Sequence, residues 1–155
     1  MISKMTCTVT PMEKIILKNL AKNEEFARKV LPFIKEEYFT SRAERVLYIN
    51  IENFVNKYTS LPTKDALILM IEKYKGISEE EYKGSLRLIT EIFDSNDRED
   101  QEWLLDHTEK FCKEKAIHLA IMNSINILDG KDTEYTESAI PEILSNALSI
   151  SFDTR

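Results

Sequence analysis

Glycine and proline are scarce, three and four in 155 residues. So few chain-breakers leave little material for the tight turns that separate short strands. No stretch alternates apolar and polar residues between turn residues, which argues against a sheet-based architecture. Cysteine is scarcer still. Cys7 and Cys112 cannot make a disulfide framework and read as reduced thiols. No apolar run approaches the ~20 residues a membrane span needs, and the opening MISKMTCTVT lacks a signal-peptide core. A cytoplasmic protein with no membrane partner is expected. Positive charge is also short: 21 Lys and Arg stand against 27 Asp and Glu, a net charge of −6 with the signs interspersed. A nucleic-acid binder usually carries a basic patch or stripe. The densest basic stretch here, Lys110, Lys113 and Lys115, is interleaved with Glu109 and Glu114 and reads as a solvated helix face.

The residues of catalysis are missing as well. A phosphate loop needs a glycine-rich turn followed by Lys and Ser or Thr, so that backbone N–H groups cradle the phosphates. Gly130–Lys131 runs into Asp132, with Ile125 five positions before the glycine, so this is a turn between helices. His107 and His118 are eleven residues apart on one helical segment, roughly 16 Å along its axis. That is too far to share a metal, and neither has a Glu three residues before it as the helical di-metal pattern requires; partly buried interface histidines are expected instead. Trp103 reads as a core anchor, with an interface hot spot as the alternative, and Cys112 as lying on a helix back. The carboxylates of SEEEY and DSNDRED sit at helix starts, where the macrodipole favours them. No catalytic, cofactor-binding or metal-binding residue is assigned, and the chain by itself is not expected to be an enzyme.

What the sequence does contain is helix. Thr10–Glu13, Ser41–Glu44 and Ser78–Glu81 have the spacing of capping boxes, and Pro11 stands where its missing N–H costs nothing. Helices are expected at about 11–20, 24–31, 42–58, 64–75, 79–94, 99–129 and 139–150. The predicted fold is all-α: a compact bundle of about five short helices followed by a long-helix C-terminal hairpin. The expected divisions are a flexible arm at 1–10, a helical globule at 11–95 and the hairpin at 96–155. The globule's core is assigned to Leu17, Leu20, Phe26, Val30, Phe33, Tyr38, Phe39, Val46, Leu47, Phe54, Leu67, Met70, Ile71, Tyr82, Leu86, Ile89, Ile92 and Phe93.

The sixth helix carries the architectural signal. From Asp100 to Asp129 it would run roughly 45 Å, where a domain of about 100 residues is only about 33 Å across, so an overhang is expected. Its first half has one apolar stripe and a charged back. Its second half, AIHLAIMNSINIL at Ala116 to Leu128, has no charge. Ile121 and Ile125 fall on one side of it; Ala116, Ala120 and Ile127 fall on the other. A helix apolar most of the way round is buried on more than one side. The final helix, folded back across DGKDTEYTES, covers one side; the other is left for a second copy of the chain. The candidate interface is Phe111, Ile117, Ile121, Ile125 and Leu128 with Ile140, Ile143, Leu144, Ala147 and Leu148.

EKIILKNLAKNEEFARKVLPFIKEEYF followed by ERVLYINIENFVNKYTSLPTKDAL resembles the N-terminal domain of DnaB-type replicative helicases. EWLLDHTEKFCKEKAI, AIPEIL and above all ALSISFD are similar to the corresponding stretches of the helicases of T-even-type phages. The resemblance runs from about Met12 to Asp153. It implies a collar in which helical hairpins of neighbouring subunits pack together and organise six RecA-like motor domains around single-stranded DNA. Primase and the helicase loader would be partners of the collar. ATP, Mg and single-stranded DNA would belong to the motor domain, which is absent from this sequence, so Arg155 would fall just before the linker. A stand-alone helical adaptor that binds a replication partner is the alternative, and a helical enzyme with an unrecognised site is a third reading.

Overall fold

The computed structural model of the chain describes residues 11–152. The arm at 1–10, with Cys7 and the Thr10 cap, and residues 153–155 lie outside them. The described residues are all-α and contain no strand: α1 (Pro11–Lys22), α2 (Glu24–Val30), α3 (Arg42–Tyr58), α4 (Lys64–Lys73), α5 (Glu79–Asp94), α6 (Gln101–Leu128) and α7 (Ile140–Leu148), with short 3-10 turns at Glu36–Tyr38 and Glu137–Ala139. The chain divides into two compact units, Met1–Asp100 and Gln101–Arg155.

Side-chain caps define the helix starts of the first unit. Ser41 and Glu44 form a complete capping box at α3, and Ser78 and Glu81 form another at α5. In each box the serine hydroxyl accepts the third helical N–H at 3.1 Å, and the glutamate accepts the serine N–H at 2.9 Å. Asn23 and Thr63 cap α2 and α4 from single side chains. Thr59 ends α3 in the left-handed region, at φ 56°. Glu13 sends its carboxylate to the N–H and hydroxyl of Thr40.

Helices α1 to α5 bury one core. Leu17, Leu20, Phe26, Val30, Tyr38, Phe39, Val46, Leu47, Leu67, Ile71, Ile89 and Ile92 are buried, joined by Ile16, Ile34, Tyr48, Ile51 and Leu88. Phe33, Phe54, Met70, Tyr82, Leu86 and Phe93 are only half-buried. They flank the buried stripes: Phe54 lies against the exposed Tyr58 ring, centroids 4.7 Å apart, and the Lys22 ammonium sits over the Phe93 ring. The Tyr48 hydroxyl, deep in the core, donates to the Ile34 carbonyl at 2.9 Å.

Residues 96–100 were grouped with the hairpin, but they close the first unit. The Glu99 carboxylate accepts Lys18 Nζ at 2.9 Å and Asn19 Nδ2 at 3.0 Å, and Lys18 also reaches the Asp97 carbonyl. Burial opposes ionisation of Glu99, but the Asn19 and Lys18 hydrogen bonds and the Lys18 charge outweigh it and hold the carboxyl below its ordinary range.

Candidate protein-interaction surface

Helix α6 is 28 residues long, about 42 Å at the usual rise. It ends in a Schellman motif. Gly130, at φ 77°, donates to the Ile127 carbonyl at 3.1 Å, and Lys131 donates to the Asn126 carbonyl at 2.9 Å. A side chain at Gly130 would be strained by that φ. The Asp132 carboxylate then accepts the N–H groups of Glu134 and Tyr135, which turns the chain toward α7. Helix α7 packs on α6. Beyond its end, Phe152 is buried and its N–H donates to the Glu109 carboxylate at 2.7 Å, so the segment runs back alongside α6.

The charge-free half of α6 has two unlike faces. Ala120, Ser124 and Ile127 are buried, and the Ser124 hydroxyl is satisfied by the Ala120 carbonyl at 2.8 Å. On the adjoining face Ile121, Ile125 and Leu128 are 47%, 44% and 60% exposed. Met122 widens this strip, Leu119 is exposed on another side of the helix, and Leu148 of α7 is exposed at 61%. Residues 121, 125 and 128 stand one helical turn apart, so they form a continuous apolar row where a solvated surface helix would be polar.

The ten candidate interface residues therefore fall into three groups. Ile121, Ile125, Leu128 and Leu148 are exposed; Ile117, Ile140, Ile143 and Leu144 are half-buried; Phe111 and Ala147 are buried within the chain. The last two have little surface left to give a partner. Met122 joins the row as a neighbour of Ile125, three positions on, a spacing the sequence already shows.

Three other expectations fail. Trp103 is 39% exposed and packs against the ring of the exposed His107, with centroids 4.5 Å apart. Positions 103 and 107 lie on the same side of α6 as Ile121 and Ile125, which is the outward side. His118 is exposed too, so neither histidine is partly buried within the chain. Cys112 is fully buried, and burial first, then the Glu109 charge, pushes its thiol up to about 12. A thiol in that state is inert at neutral pH. Among the described residues no group of three or more His, Cys, Asp or Glu is placed to hold a metal, and no helix is long and apolar enough to cross a membrane.

No family model matches the chain. It is 34% identical over 151 residues to the DnaB-like replicative helicase of Enterobacteria phage T4. The chain is homologous to part of a DnaB-like replicative helicase. The match takes in 92% of this chain and 31% of that relative, so the chain spans about a third of its length. The resemblance read from the sequence to a DnaB-type helicase is matched by a relative over 92% of the chain.

Proposed function

We propose that this chain is the collar and interaction domain of a phage hexameric replicative helicase, bringing subunits together and docking primase or the helicase loader in the host cytoplasm. The observation that supports it most is the apolar row Ile121–Ile125–Leu128 on a helix half that carries no charge. Each of these side chains is already about half-covered. Completing its burial is worth about 1 kcal/mol, half the value of a full transfer. Against an association cost of ~4–15 kcal/mol, one such row on each of two copies gives marginal, concentration-dependent assembly. ATP, Mg and single-stranded DNA are assigned to a motor domain outside these residues.

The test is sedimentation of the chain across a concentration series, with Ile121→Asp and Ile125→Asp beside the wild type. Mass is expected to rise with concentration in the wild type and to stay lower in both variants, while circular dichroism remains helical. An Asp in this row would be desolvated on association, at a cost of several kcal/mol. Unchanged mass in folded variants would remove α6 as the contact. Calorimetry with Mg-ATP and anisotropy with a labelled oligonucleotide are expected to show no submicromolar binding by this chain alone; such binding would overturn the assignment to the motor.

A further inference from the structure

Six residues join α5 to α6, and none of them is apolar: Ser95, Asn96, Asp97, Arg98, Glu99 and Asp100. A connector of that composition has no apolar side chain to bury, so the hydrophobic effect does not hold it in place. It is nevertheless fastened to α1. Lys18 Nζ donates to the Asp97 carbonyl at 3.2 Å and to Glu99 Oε2 at 2.9 Å, and Asn19 Nδ2 donates to Glu99 Oε1 at 3.0 Å. One turn further along, Lys22 Nζ donates to the Ser95 carbonyl at 2.8 Å and to the Ile92 carbonyl at 3.0 Å. Positions 18, 19 and 22 are neighbours on the helix surface, so one side of α1 grips the connector at Ser95 and again at Asp97 and Glu99.

Lys18 and Asn19 are each only 8% exposed. Ordering a lysine side chain and desolvating its ammonium is unfavourable unless the charge is paired. Here that ammonium is committed to a segment that adds nothing to the apolar core. The side chains of the Lys18–Glu99 pair are 10% and 14% exposed, against 43% and 44% for Lys14–Glu91, which α1 makes with α5. A sheltered pair is screened less by salt than an open one. The fastening consists of hydrogen bonds and charge, so undoing it uncovers no apolar side chain of the connector. A segment held in this way opens locally, at less than the cost of global unfolding.

We infer that residues 95–99 are a releasable strap, which α1 clasps through Lys18, Asn19 and Lys22 and whose opening lengthens the chain leading into α6. With the clasp shut, the ordered first unit runs to Glu99. With it open, that unit ends at α5, and the five freed residues supply up to roughly 17 Å of extended chain. The clasp thereby sets the length of the tether that carries α6 and α7. It does so whatever the apolar row of α6 binds.

Backbone amide relaxation of the full chain by NMR tests the strap, with trypsin cleavage after the exposed Arg98 as a second readout. In the wild type, residues 96–99 should be as ordered on the nanosecond timescale as α1 and α5, and cleavage after Arg98 should be slow. Lys18→Met removes the ammonium and keeps the apolar stem. The order of residues 96–99 should then collapse and cleavage should rise about tenfold or more, with α1 and α5 unchanged. Glu99→Ala should do the same from the connector's side. Lys14→Met, which breaks the open pair with Glu91, should leave both readouts at their wild-type values. A wild-type connector as mobile as a free loop overturns the proposal, and so does a Lys18→Met connector that stays ordered and uncut. Loss of order spreading through α1 and α5 would make the contact a part of the core, and would overturn it equally.

Discussion

Leu47 of α3 and Ile125 of α6 are of nearly equal size and hydrophobicity, and each sits inside a helix, yet one is wholly buried and the other 44% exposed. The first unit folds five helices around its apolar residues, so nearly every large one finds a neighbour within the unit. Among the described residues of the second unit, little lies against α6 besides α7: the short 3-10 turn before it and the segment at Phe152. A helix of nine residues can cover one face of a partner three times its length, and the adjoining face stays open. What separates the two regions is therefore the supply of covering elements, since apolar residues are plentiful in both. An uncovered apolar row on a charge-free helix half is the usual mark of an interaction surface.

The sharpest way to test that contrast is to delete equivalent bulk from both sides. Leu47→Ala should cost about 2–5 kcal/mol of stability, as a large-to-small change in a packed core does, read by urea unfolding. Next in size, Glu99→Ala should cost about 2–3 kcal/mol, since it strands the Lys18 ammonium and the Asn19 amide. Because the Glu99 carboxyl is lowered in the fold, its contribution is present above the ordinary carboxylate range and lost as pH falls through the lowered value. Stability of the wild type should therefore drop in acid more steeply than that of Glu99→Ala. Smallest of all, Ile125→Ala should change the stability of the dilute chain by only about 0.5 kcal/mol. A loss at Ile125 as large as that at Leu47 would mean that the row is part of a fold core.

Helix positions were largely legible because the signals are local: a capping serine with glutamate three residues on, the spacing of apolar residues, and Gly130 past the end of α6. Asn23 and Thr63 escaped notice because the residues three further on, Phe26 and Ala66, cannot complete a box. The two faces of α6 could be drawn from the helical period. Which face α7 takes could not, and so Trp103 was placed in the core although it faces outward. The remaining surprises depend on partners far along the chain. Glu99 meets Lys18 across 81 positions, which moved residues 96–100 into the first unit. Glu13, paired in the sequence with Thr10, sends its carboxylate to Thr40, 27 positions on. No periodicity carries such information.

Copies of the chain are proposed to meet at the apolar row of α6. The most direct measurement is methyl NMR with a soluble paramagnetic agent, comparing a dilute sample with a concentrated one. Leu69 of α4, 55% exposed in the first unit, serves as the internal reference. The methyl groups of Ile121, Ile125 and Leu128 should become shielded as the mass rises, while those of Leu69 stay equally accessible. Shielding at Leu69 with the α6 methyls left open in the assembled state would contradict the account.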